Sequence, residues 1–262
     1  MSDILTILAE NAYIRVKEKK KIVTLDEIKY KAKALLVEDF PFERSLASSG
    51  ISFICECKKA SPSKGIISPE FSYLDIALEY ERAGADAISV LTEPKWFMGR
   101  NEYLVKISNS TTIPCLRKDF TIDEYMIYES KLLGAKAVLL ICSILEKNII
   151  KEYIKICDVL GLSAVVEAHT KEEINMAIDS GARIIGVNNR NLKNFQVNTE
   201  NSKYLRSFVS KDIIFISESG IKSREEIKEL ESIGVNGVLI GEYLMRAENK
   251  KEKLAYLRGD YD

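Results

Sequence analysis

Eight short apolar runs rich in β-branched residues punctuate the chain: "ISFICE", "AISVLT", "IPCLR", "AVLLIC", "SAVVEA", "IIGVNN", "IIFISE" and "GVLIGE". Their ends fall near Cys57, Leu91, Arg117, Ile141, Glu167, Asn188, Glu218 and Gly241. The step between them, roughly 20 to 35 residues, holds one strand, one loop and one helix. The intervening segments carry a helical stripe: "SYLDIALEYERAGA" places Leu74, Ile76, Ala77 and Tyr80 on one side. It closes on Gly84, as "DEYMIYESKLLGA", "EEINMAIDSGA" and "SREEIKELESIGV" close on Gly134, Gly181 and Gly234. Near-continuous apolar strands alternating with helices mean a parallel sheet covered by helices.

Eight such units favour a closed (β/α)8 TIM barrel over an open sheet. An open dinucleotide-binding sheet would want a G-x-G-x-x-G turn after its first strand, and the chain has none. About 45 residues precede the first strand and carry two helical patterns, "DILTILAENAYIRVKEKK" and "LDEIKYKAKALL". The expected architecture is α/β, one (β/α)8 unit over 1–262, with a helical extension at 1–45 and the barrel at 46–262. The 262 residues suit one barrel, and no linker marks a second domain.

Lys and Arg number 38 against 39 Asp and Glu, so no global field draws the chain to nucleic acid or to an anionic membrane. The basic run Lys17 to Lys21 lies among acidic residues beside a helical pattern and is read as a solvated helix end. No apolar run approaches the roughly 18 residues of a membrane span, and no signal peptide opens the chain, so a cytoplasmic place is expected. Cys55, Cys57, Cys115, Cys142 and Cys157 lie in apolar contexts without metal-ligand spacing and are read as reduced core residues.

Barrel enzymes carry their reacting groups at the C-terminal ends of the strands, and polar residues of this chain collect there. In "ECKKASPSKG" alternation turns Glu56 and Lys58 to one face and Cys57 to the other. Lys118 closes the third strand, Glu167 the fifth, and Asn188 and Arg190 the sixth. Two lysines and two glutamates at one mouth suit proton transfer, since burial and mutual charge shift such groups. His169 stands two residues past Glu167 and is read as structural. Glycine turns after strands seven and eight, at Ser219, Gly220 and Gly241, are suited to a phosphate held by backbone N–H groups, with Ser61 and Lys58 nearby.

The segments "ECKKASPSKG", "SVLTEPKWFMG", "PCLRKDF", "VVEAH", "IGVNNRNL", "SESGI" and "VLIGEYLM" resemble the indole-3-glycerol phosphate synthase family, in order, from about residue 3 to residue 245. The resemblance implies closure of 1-(2-carboxyphenylamino)-1-deoxyribulose 5-phosphate to indole-3-glycerol phosphate with loss of carbon dioxide and water, in tryptophan biosynthesis, without cofactor or metal. It implies Lys118 as the acid acting on the carbonyl and Glu167 as acid or base in the later loss of hydroxyl. Glu56 and Lys58 would orient and protonate the reacting centre, and Asn188 would position substrate. Phe97 and Phe120 would contact the substrate, and Arg190 would support the charge at the mouth. Ser61, Ser219, Gly220, Gly241 and the Glu242 backbone match the phosphate region. A carbonyl acid wants a lysine drawn toward neutrality, which burial and Lys58 are expected to do to Lys118. The implied partner is a phosphorylated small molecule, with no nucleic acid and no membrane, and other tryptophan-pathway enzymes are candidate partners.

Three positions depart from the family pattern. Met98 and Arg100 stand where small residues are common and are expected to alter the fit of the substrate's ring, and Glu242 replaces a frequent hydroxyl residue. Two other readings compete. The neighbouring phosphoribosylanthranilate isomerase family would need a Cys at the end of strand one and an Asp at strand six, where this chain has Asn188. A barrel that only binds a phosphorylated metabolite would leave four converging titratable groups unused.

Overall fold

The computed structural model describes residues 4–47, 50–191 and 195–260. The expected extremities, 1–3 and 261–262, lie outside the described residues. Three helices, α1 (Ile4–Ile22), α2 (Leu25–Lys33) and α3 (Pro41–Leu46), precede β1 (Ser52–Cys57). A two-stranded hairpin, β2 (Ala60–Ser61) with β3 (Gly65–Ile66), follows at once. Then come β4 (Ala87–Leu91), β5 (Cys115–Lys118), β6 (Ala137–Ile141), β7 (Ser163–Ala168), β8 (Ile184–Asn188), β9 (Ile214–Glu218) and β10 (Gly237–Ile240), with helices between them. Apart from the hairpin strands they close into an eight-stranded parallel barrel in which β1 pairs with both β4 and β10. The (β/α) alternation of the sequence is the topology of the molecule.

Strand alternation sorts each strand's residues into two cores. Phe53, Cys55 and Cys57 of β1 face outward and pack with helix residues such as Tyr80, Ile107 and Leu244. Ile54, Leu116, Leu139, Val165, Ile216 and Leu239 fill the barrel interior. All five cysteines are buried and free. The helix Tyr73–Arg82 ends before Gly84, whose φ of 85° lets the chain turn back into β4 without the clash a Cβ would bring.

The N-terminal extension serves both ends of the barrel. Leu5 and Leu8 of α1 and Phe42 and Leu46 of α3 join the interior cluster. Ser52 at the start of β1 donates to the Ser45 carbonyl at 3.3 Å, which places α3 at the floor. The basic end of α1 is less solvated than its composition implies: Lys19 pairs with Glu129 at 2.5 Å and Lys20 with Asp123 at 2.7 Å, tying α1 to the helix Glu124–Leu132. Alternating charges had pointed to solvent because the partners lie far along the chain. Among the described residues no helix is long and apolar enough to cross a membrane.

Arg15 of α1 grips the fully buried Asp119 in a two-pronged pair, at 3.1 Å and 2.7 Å. Thr92 donates to Asp119 at 2.8 Å. Burial alone would raise the Asp119 carboxyl, but Arg15, then Arg117 and the Thr92 hydroxyl, bring it from 3.8 down to about 2. A depressed carboxyl stabilises the fold above its unfolded value, and that contribution is lost as pH falls from near 3.8 toward 2. Asp119 should therefore supply about 2 kcal/mol that disappears over this window. Urea midpoints measured from pH 5 to pH 2 should fall less steeply in Asp119→Asn than in the native chain; parallel curves would refute the linkage.

Candidate active site

Alternation carries Ile54, Glu56 and then Lys58 along one side of β1 into the mouth. Lys58 Nζ lies 2.6 Å from Glu56 Oε1, and Ser89 of β4 donates to Glu56 Oε2 at 3.4 Å. Elsewhere in the mouth Lys118, the last residue of β5, donates to Glu167 Oε2 at 2.9 Å and to Glu218 Oε2 at 2.8 Å. Asn188 Nδ2 donates to the other Glu167 oxygen at 3.5 Å. These groups share a cavity of about 1340 Å³ with Phe97, Phe120, Ser61, Arg190 and the turns at Ser219 and Gly241. Every site residue named from the sequence lines it.

The electrostatics differ from the sequence expectation at Lys118. Burial opposes its ammonium, yet the carboxylates of Glu167 and Glu218, with Glu56 beyond, outweigh that cost and hold its pKa above the ordinary 10.5. Lys58 does not draw it down, because Lys58 is itself paired with Glu56. Lys118 is thus a held ammonium between two acids. Burial raises both carboxyls, but Lys118 and then His169 bring Glu167 below its ordinary value, whereas Glu218 is left pushed up to about 7 by burial and the charge of Glu167. Two carboxyls whose environments drive them apart make an acid and a base of identical chemistry.

Glu218 is not among the site residues named from the sequence, where the glycine turn of "SESGI" is the stronger signal. The signal was there: Glu218 stands two residues after the inward Ile216, and the facing strand has glycine. A Cβ on Gly186 would collide with Glu218 Oε1, so that glycine is the space the carboxylate occupies. Gly241 does the same for the other pair, since a Cβ there would meet Glu56 Oε1 and stand 2.9 Å from Lys58 Nζ.

A second unforeseen residue is Glu93, which is buried and accepts the backbone N–H groups of Lys95, Trp96 and Phe97 at 2.9, 2.7 and 3.0 Å. It fixes the turn that aims Phe97 at Phe120, with ring centroids 6.1 Å apart. Met98 takes a φ of 52° and is exposed, and Arg100 stands at the N-cap position of the next helix without a side-chain cap bond. Neither side chain lines the cavity itself, although Met98 directly follows Phe97, which does. Ile4 and Leu8 of α1 complete the wall, which no strand-end reading could have supplied.

At the opposite edge Ser219 and Gly220 take consecutive left-handed conformations, φ 68° and 90°. Asn189 holds this turn by donating to the Ser219 carbonyl at 3.1 Å. The Glu242 side chain is occupied by cations, Arg246 at 3.2 Å, Arg190 at 3.7 Å and Lys64 of the hairpin at 3.9 Å. Cys57 is buried outside the barrel, away from the place a catalytic cysteine would need. His169 Nε2 lies 3.5 Å from Glu167 Oε1.

Comparison with known proteins fixes which barrel this is. The sequence model of indole-3-glycerol phosphate synthase matches residues 5–257. The chain belongs to that family. It is similar to the indole-3-glycerol phosphate synthase of Ruminiclostridium cellulolyticum, 52% identical across 98% of this chain and 99% of the relative. The synthase of Lachnoclostridium phytofermentans is 48% identical across 97% of this chain and 98% of its own. Among solved structures, thiamine phosphate pyrophosphorylase from Pyrococcus furiosus superposes with a TM-score of 0.58 at 18% identity, covering 80% of this chain and 94% of its own. KGPDC from Streptococcus mutans gives 0.62 at 13% identity, covering 80% of this chain and 97% of its own. At such identities these two speak for the fold alone. Membership makes the chain an indole-3-glycerol phosphate synthase, a carboxy-lyase of tryptophan biosynthesis.

Proposed function

We propose that the mouth closes the ring of 1-(2-carboxyphenylamino)-1-deoxyribulose 5-phosphate in three proton-coupled steps divided among Lys118, Glu167, Glu56 and Lys58. In the first, the ring carbon bearing the carboxylate attacks the carbonyl carbon, and the Lys118 ammonium supplies a proton to the carbonyl oxygen. The Glu56–Lys58 pair orients that centre. In the second, the C–CO2 bond breaks and its electron pair restores the aromatic ring. In the third, the new hydroxyl leaves as water while the adjacent CH2 gives up a proton, with Glu167 serving this exchange and Asn188 holding it in place. Phe97 and Phe120 contact the substrate's aromatic ring. Its phosphate sits by Ser61, Ser219, Gly220, Gly241 and the Glu242 backbone, with Arg190 balancing charge.

The observation that carries this reading is the Lys118 ammonium held at 2.9 Å from Glu167 and 2.8 Å from Glu218, in one cavity with the Glu56–Lys58 pair. A proton donor and acceptors already in contact need little reorganisation when charge develops on the substrate oxygen. Glu218, pushed upward and accepting a hydrogen bond from Lys118, joins the set. Side chains alone supply the acids and bases of every step. The EDTA-treated protein should therefore form the indole product, followed by its fluorescence. No product, or product only after a metal is restored, would overturn the proposal.

A further inference from the structure

We propose that His169 and Glu173 form a proton relay between solvent and Glu167, resupplying the buried site once per turnover. This rests on the reaction proposed above, whose balance requires such a supply. One proton goes to the carbonyl oxygen and one to the departing hydroxyl, while one returns from the CH2 group. The carboxylate leaves as CO2, so each turnover consumes one proton net. Glu167 and Glu218 are buried, with side-chain exposures of 2% and 1%, while Lys118 is partly exposed at 13%.

The relay is laid out in three contiguous groups. Glu167 Oε2 and Oε1 are taken by Lys118 and Asn188 on the reacting side, and Oε1 also faces His169 Nε2 at 3.5 Å. That Nε2 is buried and, among the described residues, makes no hydrogen bond, its ion-pair contact being the Glu167 carboxylate. The other ring nitrogen, Nδ1, lies 3.5 Å from Glu173 Oε2. Glu173 belongs to the first turn of the helix Lys171–Asp179, and its side chain is 16% exposed. The His169 backbone N–H donates to Glu173 Oε2 at 2.6 Å, which fixes the carboxylate beside the ring. An imidazole gives a proton from one nitrogen while taking one at the other, the property such a position calls for.

The charges around the ring favour its loaded form. Burial opposes an imidazolium, but Glu173, Glu167 and Glu218 outweigh it and hold His169 above its ordinary 6.5. Beyond Glu167 stands the Lys118 ammonium of β5. Cys142, after β6, reaches the Glu173 carbonyl at 3.6 Å, and burial pushes its thiol up to about 12, so it stays neutral. From the helix Glu200–Arg206, the Asn201 side-chain amide donates to the His169 carbonyl at 3.3 Å and brings no charge to the ring. His169 therefore carries its proton below its raised pKa and loses it as pH rises through that value.

His169→Asn keeps a polar side chain but cannot pass a proton, and Glu173→Gln keeps the backbone contact but cannot titrate. In both, kcat should fall about tenfold or more with KM nearly unchanged, less than the roughly 10²–10⁴ of a group that acts directly on the substrate. The alkaline fall in native kcat should be absent from His169→Asn. Imidazole buffers added to His169→Ala should restore turnover in proportion to their concentration and with a dependence on their pKa. Unchanged kcat and pH profile in His169→Asn would overturn the relay. So would a loss that tracks a lowered Tm, or one that imidazole buffers do not restore, since a purely structural histidine predicts those results. A native protein that forms no indole product would instead sink the reaction on which the relay rests.

Discussion

Lys118→Met should lower kcat by about 10²–10⁴ and leave no cyclised or decarboxylated species in a single turnover, because the carbonyl oxygen then has no acid. Glu167→Gln should behave differently. It keeps shape and hydrogen bonding but cannot exchange the proton of dehydration, so carbon dioxide should be released without indole product. Rapid quench with mass detection separates the two. Identical early arrest in both variants would mean that Lys118 and Glu167 act as one coupled unit at the first step. The contact between them, 2.9 Å, makes that a real alternative outcome and gives the experiment its force.

Gly186→Ala should be nearly as damaging despite adding a single methyl group. The new Cβ would collide with Glu218 Oε1 and crowd Val165 Cγ1 at 3.4 Å. Glu218 is fully buried and its Oε2 is bound by Lys118, so moving the carboxylate away from the new methyl group disturbs that contact. The expected result is a loss of about 1–3 kcal/mol of stability from overpacking and a kcat reduced well beyond what that loss explains. Gly186→Ala combined with Glu218→Ala should recover stability but not rate. If Gly186→Ala alone retains native kcat, Glu218 has no part in the proton set.

The barrel was legible because its signal is repetitive: eight apolar runs at even steps leave few other arrangements. Glu56 and Lys58 were legible from alternation alone, and their pairing at 2.6 Å follows from sharing one side of β1. Lys118 was found at its strand end, yet its electrostatic state was not. Which charges surround it depends on the barrel's register, in which Ile141 pairs Glu167 and Asn188 pairs Glu218, and no local pattern encodes that closure. Glu218 and Gly186 belong to one steric unit split across 32 residues of chain, visible only when the strands are laid side by side. The hairpin at Ala60–Ser61 and Gly65–Ile66 and the six-residue α3 are too short to set up a period. They leave no periodic signature in the sequence for that reason.

Barrel closure through β1 and β10 also bears on how the chain is made. Ser52 finds its partner Gly237 only about 185 residues later, so during synthesis β1 keeps one edge of unpaired backbone groups until nearly the whole chain has emerged. Arg15 waits as well, for an Asp119 that lies 104 residues downstream. The amino-terminal half therefore leaves the ribosome as an open apolar sheet with one edge of β1 unpaired. Its dependence on chaperones, and its tendency to aggregate when translation stalls, should be concentrated in the interval before residues 237–240 arrive.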